Sequence, residues 1–303
     1  MGSKQTGVSV TPLHADGVLV VVTLIAAAGW MFSFNALRGL PPLLFIGLRF
    51  LAAGLILGAC SGRRLYALRG DARLLRQGAG AGALLGGAMM SWVMGLHLTT
   101  AIGAGAFISS LGVVIAPIVA WLLFRERVPA STWLAIVVAT FGMGFLALQK
   151  GMTVQLADLF FFGSALSFSV QFTLNSRFAG RYPALPLTAI QLFVVGVVAL
   201  AASALLEAWP ARVDAESWAW LAASVLVATA PRYFVQIWAQ SRTSMHHAAF
   251  IMTLEPVWTA LLAGAWLGQH MRPLQVVGSA LVMCALLISR WPALRGSFAG
   301  RFG

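Results

Sequence analysis

Apolar residues in this chain come in runs of about twenty, separated by short polar or basic stretches, and a run of that length crosses the hydrocarbon core of a bilayer as a helix. Ten such runs are predicted, over residues 16–36, 41–60, 78–98, 101–123, 131–149, 157–178, 185–207, 216–239, 246–267 and 273–291. The links between them are too short to fold by themselves. The expected fold is an all-α membrane protein of ten transmembrane helices. The first run is too long for a signal-peptide core, has only Lys4 ahead of it and lacks a convincing cleavage site, so it is expected to stay as a spanning helix.

Composition removes the other broad classes. Hydrophobic residues make up 60% of the 303 positions and charged residues 9%, with a mean hydropathy of +0.88. In a soluble chain a net charge of +12 would suggest nucleic acid, but here Lys and Arg sit in the links between apolar runs, so no nucleic-acid partner is expected. Fourteen of them fall on the side that holds the N-terminus, including the cluster from Arg63 to Arg76, against four on the other side, Arg38, Lys150, Arg212 and Arg272. The positive-inside rule then predicts both termini in the cytoplasm, and the basic cluster is a candidate contact for anionic lipid. Cys60 and Cys284 read as packing residues. Ligand spacing for a metal and the glycine-rich loop of an ATPase are both missing from the sequence, so no metal, cofactor or catalytic residue is expected.

The chain also repeats itself. The thirteen residues from Thr99 to Leu111 lie without a gap over those from Arg242 to Leu254, with five identities that include an Ala-Phe-Ile run. Ser33-Phe34-Asn35 lies over Thr173-Leu174-Asn175 in the same way. Two five-helix repeats are predicted, residues 16–149 and 150–291, flanked by cytoplasmic segments 1–15 and 292–303. A unit that crosses the membrane an odd number of times leaves its second copy upside down, so the repeats are expected to be inverted. That architecture places a substrate site near the midplane between the halves and works by alternating access.

Trp30 with Phe34, Pro41-Pro42 followed by Arg49, Ser110-Leu111 with Pro117 and then Arg125-Glu126-Arg127, and Leu254-Glu255-Pro256-Val257 together resemble the drug/metabolite transporter superfamily, in its ten-helix branch with two EamA repeats. The resemblance covers essentially the whole chain. One departure is Gln269, where the second repeat often carries an acid and the first repeat keeps Glu126. The resemblance implies export of small organic solutes across a bacterial inner membrane without choosing among the superfamily's substrates; amino acids or amino-acid-derived compounds are the expected cargo, with lipophilic cations and metallophores as the alternative. A lipid-modifying enzyme is a third reading, disfavoured because no catalytic constellation is present.

Few ionisable residues lie inside apolar runs, and a charge at such depth usually faces an interior cavity and a partner. Glu255, before Pro256, and Arg232, after Pro231, are each about ten residues from an expected turn at Ser241 to Met245, and at about 1.5 Å per residue they lie at similar depth. Glu255 reads either as a proton-coupling carboxylate or as a structural partner of Arg232. Arg232 and Arg49 are each candidates for a substrate carboxylate, which a planar guanidinium suits. Trp30, Gln171, Tyr233 and Trp258 are the candidates for lining a pocket, chosen from a wider polar and aromatic set that includes Ser33, Asn35, Trp92, Asn175, Gln191, Gln236 and Trp238. Pro117, Pro231 and Pro256 are candidate kinks or hinges. His97 and the pair His246-His247 read as interfacial residues. Gly78, Gly82 and Gly86 form a stripe for close helix packing, within a monomer or across a homodimer. The expected partners are a small-molecule substrate, membrane lipid and, as candidate coupling ion, the proton.

Overall fold

A computed structural model describes residues 12–68, 70–125, 128, 130–148, 154–178, 182–240, 251–252, 254–269 and 271–299. Glu126, His246, His247 and the turn expected at Ser241 to Met245 lie outside them. The helices are α1 (Pro12–Ala36), α2 (Pro42–Leu68), α3 (Ala72–Leu98), α4 (Ile102–Phe124), α5 (Ala130–Leu148), α6 (Leu156–Phe178), α7 (Ala184–Leu206), α8 (Ala215–Leu226), α9 (Ala230–Gln240), α10 (Glu255–Leu267) and α11 (Pro273–Ala299). Among the described residues six stretches are long and apolar enough to cross a membrane: Gly17–Ala36, Pro42–Gly62, Ala72–Leu98, Ile102–Phe124, Leu156–Asn175 and Ala184–Leu206. Ala130–Gly142 and Pro273–Ile288 are shorter apolar helices. The second span ends where Gly62 takes a φ of 45°, a left-handed value that glycine adopts without steric cost.

Two of the ten expected helices are not continuous. The run over 216–239 is α8 and α9, separated by a turn at Val227, Ala228 and Thr229. Pro231 explains the position of the break: its ring crowds the carbonyl four residues earlier, that of Val227, and it has no N–H to give. In the run over 246–267, Ile251 and Met252 are helical, Leu254 is a turn residue and α10 begins at Glu255 with Pro256 in its first turn. Proline is at home there, because a first-turn N–H has no helical acceptor anyway. Pro117 behaves differently, since α4 runs unbroken across it.

Glycine lets the two sequence halves approach closely. A methyl group added at Gly54 would lie 2.5 Å from the Phe193 nitrogen, one at Gly47 would lie 2.6 Å from Leu200 Cγ, and one at Gly196 would meet the Leu51 backbone. Numbers rise along α2 as they fall along α7, so these helices are antiparallel. The stripe on α3 serves the same purpose with the opposite sense: Gly78 faces Ile190, Gly82 faces Gln191 and Val194, and Gly86 faces Val195. Those small residues are therefore used within one chain, with α3 and α7 parallel. Further contacts pair α5 with α11, set α6 between α3 and α4, and lay α1 across α8, α9 and α10.

Side chains from the second half cap helices of the first. Glu207 accepts the N–H groups of Leu43 at 2.8 Å and Leu44 at 2.9 Å, covering the open start of α2. Gln269 Oε1 accepts the Ile102 N–H at 3.1 Å and does the same for α4. Within the second half Asp214 caps α8, and the backbone N–H and hydroxyl of Ser217 hold its carboxyl below the usual carboxylate range.

A charged cavity between the two halves

The break before α9 and the break before α10 bring Arg232 and Glu255 together. Each side chain leaves the first turn of its own helix, and Arg232 Nη2 donates to Glu255 Oε2 at 3.1 Å. The carboxylate is well placed at a helix start, where unpaired N–H groups favour negative charge; the guanidinium in the same position on α9 is not, and Glu255 offsets it. Trp30 Nε1, from α1, donates to the other oxygen, Glu255 Oε1, at 3.2 Å. Both carboxylate oxygens are thus engaged, one by each half of the chain.

Arg49 on α2 is held without a carboxylate. Its Nε donates to Thr229 Oγ1 at 2.5 Å and its Nη1 to Ser33 Oγ at 2.7 Å. Those hydroxyls spend their own protons on backbone carbonyls, Thr229 on Ser224 and Ser33 on Gly29, so each is free to accept from the guanidinium. Phe45 and Phe50 lie 5.7 and 5.6 Å from the Arg49 Cζ, and Arg49 itself is only 5% exposed. Tyr233 has its ring 5.0 Å from Arg232 Cζ and packs edge-on to Phe50, the ring that flanks Arg49.

Trp30, Arg49, Phe50, Arg232, Tyr233 and Glu255 line one cavity which, with its open mouth, holds about 1110 Å³. Trp30 and Trp92 form an edge-to-face pair at 4.9 Å across part of its wall, while Phe168 and Phe172 of α6 stack at 6.5 Å on another part. Ser109 Oγ, Gln236 Oε1 and Arg232 Nε are buried with no hydrogen-bond partner among the described residues, and all three residues line the cavity. Polar atoms in that position are the ones a bound solute would satisfy.

Of the candidate residues, Arg49, Arg232, Glu255, Trp30, Tyr233 and Pro256 all line this space. Gln171 is buried elsewhere in α6, and Trp258 lies on α10 with its Nε1 unpartnered and away from the cavity. Pro231 lines a largely apolar groove between α1 and α9, which shares Arg232 with the cavity. Asn175 and Gln191 pair with each other, Gln191 Nε2 donating to Asn175 Oδ1 at 2.7 Å. Residues that sequence reasoning missed include Phe50, Met89, Ser109, Phe168, Phe172 and Thr229. Thr229 had a signal, as a hydroxyl beside a proline-broken turn; Ser109, Phe168 and Phe172 lie on α4 and α6, whose apolar character has little preferred side.

A helical bundle of membrane-spanning length, with buried charges around an interior cavity, defines a membrane protein that handles a solute. The EamA-like transporter family matches the chain twice, over residues 14–148 and 155–291, and the chain belongs to that family and to the drug/metabolite transporter superfamily. It is similar to an uncharacterized transporter of Archaeoglobus fulgidus, with 28% identity over 287 residues that span 94% of this chain and 89% of the relative. A protein of known crystal structure shares the fold, with a TM-score of 0.63 at 18% identity, covering 89% of this chain and 96% of the other. Family and relative both point to a transporter rather than an enzyme.

Proposed function

We propose that the chain is a secondary transporter that exports small organic metabolites, amino acids or amino-acid-derived compounds, across a bacterial inner membrane by alternating access, with the proton as coupling ion. The observation that carries this reading is the cavity itself: Glu255 is tied to Arg232 on one side and, through Trp30, to the opposite half on the other. Loss of the carboxylate's charge would remove the ion pair with Arg232 and weaken the bond from Trp30 together. That is the kind of local charge change which biases a two-state element.

Inverted repeats fit the same reading. The two family matches make α2 and α7 the second helices of their respective segments, and they run antiparallel, as inversion about an axis in the membrane plane requires. The broken helices at the site are a recurring device for binding at mid-depth. Both termini are placed in the cytoplasm on the basic bias of the links.

The test is flux in proteoliposomes with and without an inward proton gradient, for wild type and Glu255→Gln. Gradient-driven flux is expected to vanish in the variant while solute exchange at equal pH persists. Driven flux unchanged by the substitution would sink the coupling role and leave a facilitator.

A further inference from the structure

Counting formal charges around the cavity separates solutes by their ends. Its wall carries two guanidinium groups, Arg49 and Arg232, and a single carboxylate, Glu255. That carboxylate already has a partner on each oxygen. Arg49 gives two N–H bonds to neutral hydroxyls, and the rest of its five donors have no partner among the described residues. A charged group held this far from bulk water calls for a counter-charge, and among the described residues no carboxylate bonds to Arg49.

We infer that the cargo is bound as a monoanion, its carboxylate on Arg49 and its apolar body against Phe168, Phe172 and Trp92, and that the site does not read a free amino group. Resting on the proposed function, this narrows the solute class to amino-acid-derived acids whose amine is absent or masked. A carboxylate supplies the acceptors that Arg49 lacks and brings the cavity's formal charge to zero. An ammonium group has no free acceptor carboxylate to go to and adds a third cation beside Arg49 and Arg232. Gln236 and Ser109, each with an unpartnered buried oxygen, suit the neutral amide or hydroxyl of such a molecule instead. By the same charge balance lipophilic cations are excluded, although the aromatic wall alone would accept them.

Three ligands on one skeleton test this: 3-phenylpropionate, phenylalanine and 2-phenethylamine, an anion, a zwitterion and a cation that share a phenyl ring and a two-carbon stem. Binding to the detergent-purified full chain by titration calorimetry is expected to rank them in that order, with at least about tenfold between the first two, since like charges brought together are strongly disfavoured. N-acetylphenylalanine should bind with the anion. Arg49→Gln should reduce the anion-to-zwitterion ratio to near one, and Arg49→Lys should keep part of it. Should the Arg49 variants fail to fold, the wild-type ranking decides alone. Phenylalanine or phenethylamine binding as tightly as 3-phenylpropionate overturns the inference while leaving the transporter reading intact. Failure of every ligand to bind overturns the inference as well, while the transporter reading stands or falls on the flux test.

Discussion

Arg232 and Glu255 stand 23 positions apart in the chain and 3.1 Å apart in space, each in the first turn of a separate helix. With side chains 13% and 22% exposed, they are shielded enough to need one another and open enough to respond to the cavity.

A double-mutant cycle measures that dependence. Arg232→Gln alone leaves a carboxylate unpaired and is expected to cost about 2–3 kcal/mol of stability, as is common when one partner of a shielded pair is removed. Glu255→Gln alone exposes the opposite charge. The double variant should be less destabilised than the sum of the two by about 1–2 kcal/mol, read from thermal unfolding in detergent. Strict additivity would mean that the pair contributes no coupling.

Much of this site was legible because charge is rare in apolar sequence. Glu255 and Arg232 stood out by type, and each adjoins a proline, so their meeting could be expected from helix geometry alone. Where the helix ends fell was harder. Pro231 and Pro256 fall inside runs that are apolar apart from Arg232 and Glu255, and only the backbone shows that each opens a new helix rather than bending an old one. The aromatic wall was hidden for another reason. Phe168 and Phe172 belong to a helix with apolar residues both on its outer side and against the cavity's aromatic wall, so periodicity cannot tell which side a residue takes. Gln171 and Trp258 carry polar groups, yet a polar group inside a bundle can face a neighbouring helix as well as a cavity.

Trp30 separates a ring's packing from its N–H. Trp30→Phe keeps contact with Trp92 and Phe161 but removes the donor to Glu255 Oε1. A loss of about 1 kcal/mol in stability is expected, together with a clear fall in gradient-driven flux. Trp30→Leu should lower both more sharply. Flux in Trp30→Phe equal to wild type would show that the bond to Glu255 is incidental to transport.

The α2–α7 seam makes a prediction that does not depend on the substrate. Gly196→Ala would drive a methyl group into the Leu51 backbone, which cannot swing aside as a side chain can. A cost of about 2–3 kcal/mol is expected, as for other overpacked contacts. Gly87→Ala, on α3 with open space beside it, is the control, and it should gain a few tenths of a kcal/mol or more from the better helix propensity of alanine. Melting curves that rank the two variants the other way would contradict the packing described for these helices.

Gln269 links the halves at the end of the bundle where α4 begins, by accepting the Ile102 N–H at 3.1 Å. An amide performs this capping without charge, so the missing acid at position 269 does not leave the helix start open. Gln269→Ala should cost about 1 kcal/mol, the usual effect of losing a cap. Gln269→Glu should stabilise by about 0.3–1 kcal/mol, because a carboxylate beside a helix start also meets its positive dipole end. Transport then shows what the link does in the working cycle. If the halves part here during alternating access, the tighter Gln269→Glu variant turns over more slowly than wild type in proteoliposomes although it melts higher. A variant that melts higher with unchanged turnover would mean that this end of the bundle stays closed throughout, and that the halves separate elsewhere.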